Sequence, residues 1–526
     1  MITVRRIYLY LSSFIGMSVT LAGVFILIGL IVDQGFDAFR GFSIPTSAGA
    51  LALMIAGGFA WRFYWQTVQR EANAVLEERG SGTRKLYLYL TTAIGLVGAL
   101  SLAQGVLAGF LVQLLDTGLS NFKQLLTPLL TGAVLGFVWD RHRRVAEADR
   151  LSGADGTRGD DIRRGYWFAL ALFGVSGAAN GAAAFIGGLL SHLGGQAPSS
   201  GFNFGGSWQQ TLFPALAQMA AGAVAVWMFW LPSQKAAAAG DATERASRTR
   251  SALIHLVVLW ATLWTLNGGQ GVLRDLLSRI LQGQNSSLLV VALSAPLSQL
   301  IVGALLLWYF FRQVRPTLTT PRLSEYLIAG AGFFAGLVAL SQLVAALLQT
   351  LGSQGSRIEE LIVNILPGLL IGGGVWRWRW QMLEAEASGP DGSAARSYLW
   401  RKVYLYFYQL ISLAAILTGV VVLLQAIVAA LLGGVPSGNL LSDQSVPLAL
   451  LLVGLGLMIY MLQLVASDTR LGALSLEQAM RRTLGDEAPT WALMLLFGLV
   501  FVPVIYGLVI FPIVYPIFLN IIGRFQ

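Results

Sequence analysis

The chain has 526 residues, of which 56% are hydrophobic and only 12% charged, and its formal net charge is +9. A soluble globular protein carries about 25% charged residues, so a fold of this size solvated by water on all sides is excluded. Cysteine is absent, which rules out disulfides and thiolate-held metals.

The first element opens on Arg5 and Arg6 and continues as an apolar run to about Val32. A cleaved secretory signal has a shorter apolar region, of about 7–15 residues, so this run is expected to be a retained first membrane helix. Further runs follow along the chain, among them Leu86–Leu115, Ser251–Leu273 and Val403–Leu432. Each reaches or exceeds the roughly 20 apolar residues that cross a hydrocarbon core of about 30 Å.

The runs are introduced by a recurring motif. Arg5-Arg6-Ile7-Tyr8-Leu9-Tyr10, Arg84-Lys85-Leu86-Tyr87-Leu88-Tyr89 and Arg401-Lys402-Val403-Tyr404-Leu405-Tyr406 are its clearest copies, with weaker ones at Arg163-Arg164-Gly165-Tyr166, at Arg250, and at Arg322 with Tyr326. Lys and Arg favour the headgroup layer and Tyr straddles its boundary, so the motif reads as an interface anchor. A second helix then follows in each unit, with a proline ahead of a small-residue and Leu-rich run that ends in an aromatic residue. The pairs are Pro45 and Trp61, Pro128 and Trp139, Pro214 and Trp227, Pro296 and Trp308, Pro367 and Trp376, and Pro447 and Tyr460. Tyr8, Tyr87, Tyr404, Trp61, Trp139, Trp227, Trp308 and Trp376 are thus the expected interface anchors. Several of the prolines have apolar, helical sequence on both sides and are expected as kinks inside a span, which neighbouring helices accommodate in a membrane.

The expected fold is all-α: a polytopic membrane protein with about 13 transmembrane helices, arranged as six tandem parallel hairpins plus one C-terminal helix. The hairpins occupy residues 1–76, 77–158, 159–240, 241–317, 318–392 and 393–468. An amphipathic or linker segment at 469–489 and a last membrane helix in 490–526, Trp491–Phe518, follow. Of the 35 Lys and Arg, 29 fall on the anchor side, the exceptions being Arg40, Lys123, Arg274, Arg279, Arg357 and Arg524. The positive-inside rule places the anchors and the N-terminus in the cytoplasm and the C-terminus outside.

The basic anchor motif followed by a Gly-rich apolar helix resembles a bacterial multi-pass membrane repeat family known as domain of unknown function 5671. The resemblance is good over residues 5–72, 84–149 and 401–468 and degenerate in the three middle units, making about six copies. It implies a bacterial multi-pass protein and carries over no activity, substrate or site residue; the membrane expected is the bacterial cytoplasmic (plasma) membrane.

Polar chemistry within the runs is sparse. Asp33, Asp116, Arg274 and Asp275 lie at the outer ends, and Asp140 and Glu325 at the inner ends. Coupled transporters place a titratable group within the membrane, and many are built from inverted repeats, whereas repeats of two helices all enter alike. An amide does recur in the outer half of the first helices, at Gln104, Asn180, Gln270, Gln342 and Gln425. It reads first as interhelical hydrogen-bonding glue beside small residues and second as the lining of a polar path. The arginine–tryptophan alternation Trp376–Trp380 reads as a dense interface anchor with cation–π capacity.

His142, His192 and His255 have no zinc-site spacing, and only Asp140 with His142 approaches an acid–base pair. No catalytic group, cofactor or metal is therefore expected, and the basic pI is a matter of topology rather than of nucleic acid. The partners expected are membrane lipids and a larger membrane complex. The chain reads as a non-enzymatic structural or accessory subunit, the alternative being a channel or transporter for a neutral or lipophilic solute.

Overall fold

The computed structural model describes residues 2–36, 44–116, 122–153, 157–194, 208–282, 289–318, 321–351, 358–389, 392–431, 443–472, 475 and 477–478. Among them there is no strand, and twelve long helical rods account for most of the chain. These are α1 (Ile2–Phe36), α2 (Ile44–Ala74), α3 (Gly82–Asp116), α4 (Lys123–Leu151), α5 (Thr157–Leu193), α6 (Trp208–Ala225, prolonged by a π-turn at Val226–Trp230 and by Leu231–Ala238), α7 (Arg248–Gln282), α8 (Leu289–Tyr309), α9 (Pro321–Leu351), α10 (Ile358–Pro367, prolonged by a π-turn at Gly368–Gly372 and by Gly373–Ser388), α11 (Leu399–Leu431) and α12 (Ser445–Arg470).

Eleven of these rods are long and apolar enough to cross a membrane. The twelfth, α4, is less apolar because the charged stretch from Asp140 to Arg150 fills its second half. The helix expected at Trp491–Phe518 lies outside the described residues.

Helices suit this sequence because a backbone in hydrocarbon must satisfy its own N–H and C=O groups. Their apolar side chains, in turn, are not consumed by a protein core. In the span Leu399–Val428 only 11% of the most apolar window is buried within the protein. Leu410, Leu413, Leu417, Val421, Leu424 and Val428 form an exposed stripe along α11 at intervals of three and four residues, which places them on one helix face. In water such a continuous apolar surface would be unstable; against acyl chains it is at rest.

The chain forms two compact units. The first comprises Met1–Glu244 and Asn285–Val302. In it α1 packs along α2, α3 along α4 and α6, and α5 along α6. The second comprises Arg245–Gln284 and Gly303–Gln526; there α9 packs along α10 and α12, α7 along α9 and α10, and α11 along α12.

Small residues set how closely the paired helices approach. A Cβ added to Gly16 would lie 2.6 Å from the backbone nitrogen of Trp61, and one on Gly332 would lie 2.8 Å from that of Trp376. These are like positions in the first and second units, glycine on the first helix against the terminal tryptophan of the second. Without a lipid-to-protein hydrophobic gain, van der Waals contact of this kind is a principal source of helix association in a membrane.

Pro128, Pro296 and Pro367 lie inside their helices, where kinks were expected, and so does Pro214. Pro45 and Pro447 instead fall in the first turns of α2 and α12, where a missing N–H costs nothing. The π-turns at Val226–Trp230, Phe310–Val314 and Gly368–Gly372 follow later in the same kind of helix.

Candidate functional site

The distinctive polar structure lies at the basic ends of the helix pairs. The anchor arginines were expected in the headgroup layer, yet several are enclosed by protein. Arg84 and Arg401 are 1% and 0% exposed. Arg84 Nε donates to Asp149 Oδ2 at 2.7 Å and its Nη2 to Asp149 Oδ1 at 3.3 Å, a two-pronged pair joining the start of α3 to the end of α4. Arg401 does the same to Asp468, with Nε to Oδ2 at 2.8 Å and Nη2 to Oδ1 at 3.0 Å, joining α11 to α12. A planar guanidinium matches a carboxylate in this geometry, and a lysine would not.

The same closure recurs with other partners. Arg5 pairs with Glu71, Arg164 with Glu244 at 4.0 Å, and Arg322 with Glu386 at 3.4 Å. Arg250, fully buried, donates to the Thr317 carbonyl at 3.3 Å. In every case an arginine near the start of the first helix reaches the residues that follow the membrane part of the second.

Around the two buried pairs the surroundings also correspond. Arg84 Nη2 donates to Gln69 Oε1 at 3.2 Å and Nη1 reaches the Tyr10 hydroxyl at 3.5 Å. Arg401 Nη2 donates to Glu384 Oε2 at 3.0 Å, its guanidinium sits 5.3 Å from the Trp380 ring centroid, and Tyr326 lies within its hydrogen-bonding reach. Lys402 Nζ adds a contact to Asp468 at 3.4 Å. The second cluster therefore sets two cations against two carboxylates, where the first has the neutral Gln69 in the place of Glu384.

Several residues singled out in the sequence are relocated by this packing. Tyr87 and Tyr404 are 5% and 6% exposed and face protein. Trp61, Trp139 and Trp376 are half-buried and direct their indoles toward Tyr87, Tyr166 and Tyr404 of the following helix pair. Tyr8, Trp227 and Trp308 do remain largely exposed, and Tyr8 shares a 2.8 Å hydroxyl contact with Tyr64.

The Trp376–Trp380 alternation is turned inward at its end. Arg379 lies 4.0 Å from the Trp378 ring centroid and pairs with Glu325 at 2.9 Å, which also holds Arg315, while Trp380 stacks on Tyr404. Asp468, at the end of the sixth hairpin and not singled out in the sequence, proves to be a buried counter-ion on α12, which continues to Arg470. Its signal in the sequence was the lone acid placed 67 residues after an anchor arginine.

Among the described residues, no hydrogen bond joins Gln104 to Asn180 in the first unit, or Gln270, Gln342 and Gln425 to one another in the second. Asn180 donates to the Ser176 carbonyl of its own helix at 2.8 Å. Gln104 and Gln270 are half-buried, and Gln342 and Gln425 are exposed on their helices. Asp140 and His142 do not meet: Asp140 pairs with Arg143 and Arg144, and His142 turns inward to the Val138 carbonyl at 2.8 Å and the Tyr87 hydroxyl at 3.5 Å. His255 is buried with Nδ1 2.6 Å from the Ser251 carbonyl. Among the described residues no three His, Asp or Glu converge as metal ligands.

No curated protein and no solved structure matches the chain. One family model does match, over residues 6–139 and again over 322–456. Each match takes in two helix pairs, α1 to α4 in the first unit and α9 to α12 in the second, so the matched copy is a four-helix unit occurring twice. The two copies begin near Tyr10 and Tyr326, and each encloses the arginine of a buried pair, Arg84 or Arg401, while Asp149 and Asp468 lie just beyond its end. Together they account for just over half of the chain, which therefore belongs to the family described as a domain of unknown function, DUF5671.

Proposed function

We propose that this protein is a non-enzymatic structural or accessory subunit of a bacterial plasma membrane, packing against lipid or a larger membrane complex. In this reading six tandem parallel hairpins and a thirteenth, C-terminal helix cross the bilayer, with the N-terminus cytoplasmic and the C-terminus external. The observation that carries it is the direction of the side chains. Long apolar stripes face outward, and the most deeply buried charges at the pair ends, Arg84 with Asp149 and Arg401 with Asp468, are engaged with one another. Groups committed to closing helix pairs are poorly placed for turnover chemistry, which needs a charge able to change at a substrate. Blue-native electrophoresis from a mild detergent is expected to show the chain in an assembly heavier than its monomer. A lone monomer under every extraction condition would remove the accessory-subunit reading.

A second reading, a channel or transporter for a neutral or lipophilic solute, draws on the half-buried Gln104, Asn180 and Gln270 and on the proline-containing helices. The two readings differ in what a triple Gln104→Leu, Gln270→Leu, Gln342→Leu variant does. Interhelical hydrogen bonds in membranes average only about 0.6 kcal/mol, so under the favoured reading the variant keeps its assembly state and thermal midpoint. Unchanged stability with lost solute flux in reconstituted vesicles would instead select the channel.

A further inference from the structure

The first unit contains a cavity of about 480 Å³ at the basic end of α3, α4, α5 and α6. Pockets that hold small molecules or lipid groups fall in the range of roughly 300–1,000 Å³. Its composition is unlike that of the apolar groove between α3 and α4 nearer the other end of that pair, which is lined by residues such as Leu100, Phe110 and Leu129. Here Arg143, Arg150 and Arg163 border the cavity together with Tyr89, Tyr166 and Phe229. Tyr89 and Phe229 are 8% and 5% exposed, whereas the arginine side chains are 53%, 40% and 28% exposed. The aromatics therefore form the floor, and the guanidinium groups stand at the mouth.

The rings of the floor touch one another, with centroids 5.2 Å apart for Tyr89 and Tyr166 and 5.9 Å for Tyr166 and Phe229. Arg143 is held 5.3 Å from the Trp139 ring centroid, which fixes one guanidinium at the edge.

Three guanidinium groups converge at the mouth. Among the described residues, Glu147 is the one carboxylate that lines the cavity beside the three guanidinium groups. A hydrogen bond from Arg150 holds the Glu147 carboxyl below its ordinary range, and the charges of Arg163 and Arg143 add to this against the opposing effect of burial. All three cations are thus felt at one point. Their local partners are weak competitors. Arg143 with Asp140, Arg150 with Glu147 and Arg163 with Asp160 are half-exposed pairs three residues apart on their own helices, a kind that contributes little and is readily exchanged. In addition, Arg163 Nε is buried with no hydrogen-bond acceptor among the described residues.

We propose that this cavity binds a phosphate-bearing anionic headgroup, with the three arginines on the phosphate oxygens and the first acyl carbons over the aromatic floor. Guanidinium groups take phosphate in a two-pronged, charge-assisted manner, and basic pockets between membrane helices are suited to anionic headgroups. The inference rests on the reading of the chain as lipid-embedded. It adds a specific lipid-class site to a surface that otherwise offers acyl chains only generic contact.

The test is native mass spectrometry of the full-length protein in mild detergent, titrated separately with dioctanoyl-phosphatidylglycerol, dioctanoyl-phosphatidylcholine and inorganic phosphate. The expected result is a saturable phosphatidylglycerol adduct that weakens with added salt. It should also be at least about tenfold weaker in the Arg143→Gln, Arg150→Gln, Arg163→Gln variant, which loses three charge-assisted contacts. Met228→Trp, which fills the cavity and leaves every charge in place, should weaken it as well and serves where the triple variant fails to fold. Inorganic phosphate binding as tightly as the lipid would uphold the site and identify a soluble phosphate compound as its ligand. Equal binding of phosphatidylcholine and phosphatidylglycerol, or equal binding by wild type and both variants, would overturn the proposal. A lone monomer on native electrophoresis would remove the accessory-subunit reading and leave these titrations untouched.

Discussion

Replacing Asp468 with Asn is expected to lower the unfolding free energy of the purified protein by about 3–5 kcal/mol, the usual cost of stranding one member of a buried ion pair. Asp468 is 1% exposed and faces both Arg401 and Lys402, which are 0% and 2% exposed. An amide offers one acceptor where the carboxylate offered two charged oxygens, so two cations remain inside with the Glu384 carboxylate as a partial substitute for Arg401 alone. Asp149→Asn in the first unit is expected to be comparably damaging, because Arg84 would then rely on the neutral oxygens of Gln69 and Tyr10.

A buried pair need not be a net source of stability, since taking two charges from water is itself costly. The triple variant Arg401→Met, Lys402→Met, Asp468→Leu should therefore recover most of the loss. Thermal scanning and denaturant titration in one detergent would measure both effects. Equal midpoints for wild type and Asp468→Asn would mean that the pair is dispensable to the helix closure.

The second large effect is steric. Gly222 on α6 lies against α5, where an added Cβ would run into the backbone nitrogen of Ala178 and come within 2.7 Å of the Gly174 carbonyl oxygen. Backbone atoms cannot turn aside as a side-chain end can. Gly222→Val must then push the two helices apart, at a cost of about 1–3 kcal/mol for overpacking and more if the separation spreads along the contact. Gly136→Ala, where an added Cβ meets nothing within 4 Å, is the matched control and should be nearly silent, helped slightly by the better helix propensity of alanine. The reading to take is the thermal midpoint together with the monodisperse fraction after detergent extraction. A Gly222→Val protein as stable as the Gly136→Ala protein would show that α5 and α6 do not depend on close approach here.

Much of the architecture was legible before any coordinate, and for a simple reason. Backbone satisfaction in hydrocarbon permits few solutions, so apolar runs of sufficient length translate directly into helices. The basic motifs located where α1, α3 and α11 begin, whereas α2, α4 and α10 run on past Trp61, Trp139 and Trp376 to Ala74, Leu151 and Ser388. Pro128, Pro296 and Pro367 were legible as interior kinks because apolar sequence continued on both sides of them, whereas Pro214, preceded by the polar stretch Ser207–Thr211, is placed inside its helix only by the structure. The family resemblance was carried by the anchors of α1, α3 and α11. The second matched copy, residues 322–456, also reaches into α9 and α10, where the anchor is reduced to Arg322 and Tyr326.

What the anchors do could not be read from their composition. An Arg-Lys-x-Tyr motif at the start of an apolar helix looks the same whether it meets lipid phosphates or a carboxylate of its own protein. The sequence by itself determined that these residues stand at a helix entrance, because depth follows from distance along the chain. Only the tertiary structure decided that Arg84 and Arg401 turn inward to Asp149 and Asp468, 65 and 67 residues later. The physical reason is that burial depends on which face of a helix meets its neighbour. That face is chosen by close contacts such as those of Gly95 with Trp139 and of Gly454 with Ser412, which bring α3 against α4 and α11 against α12.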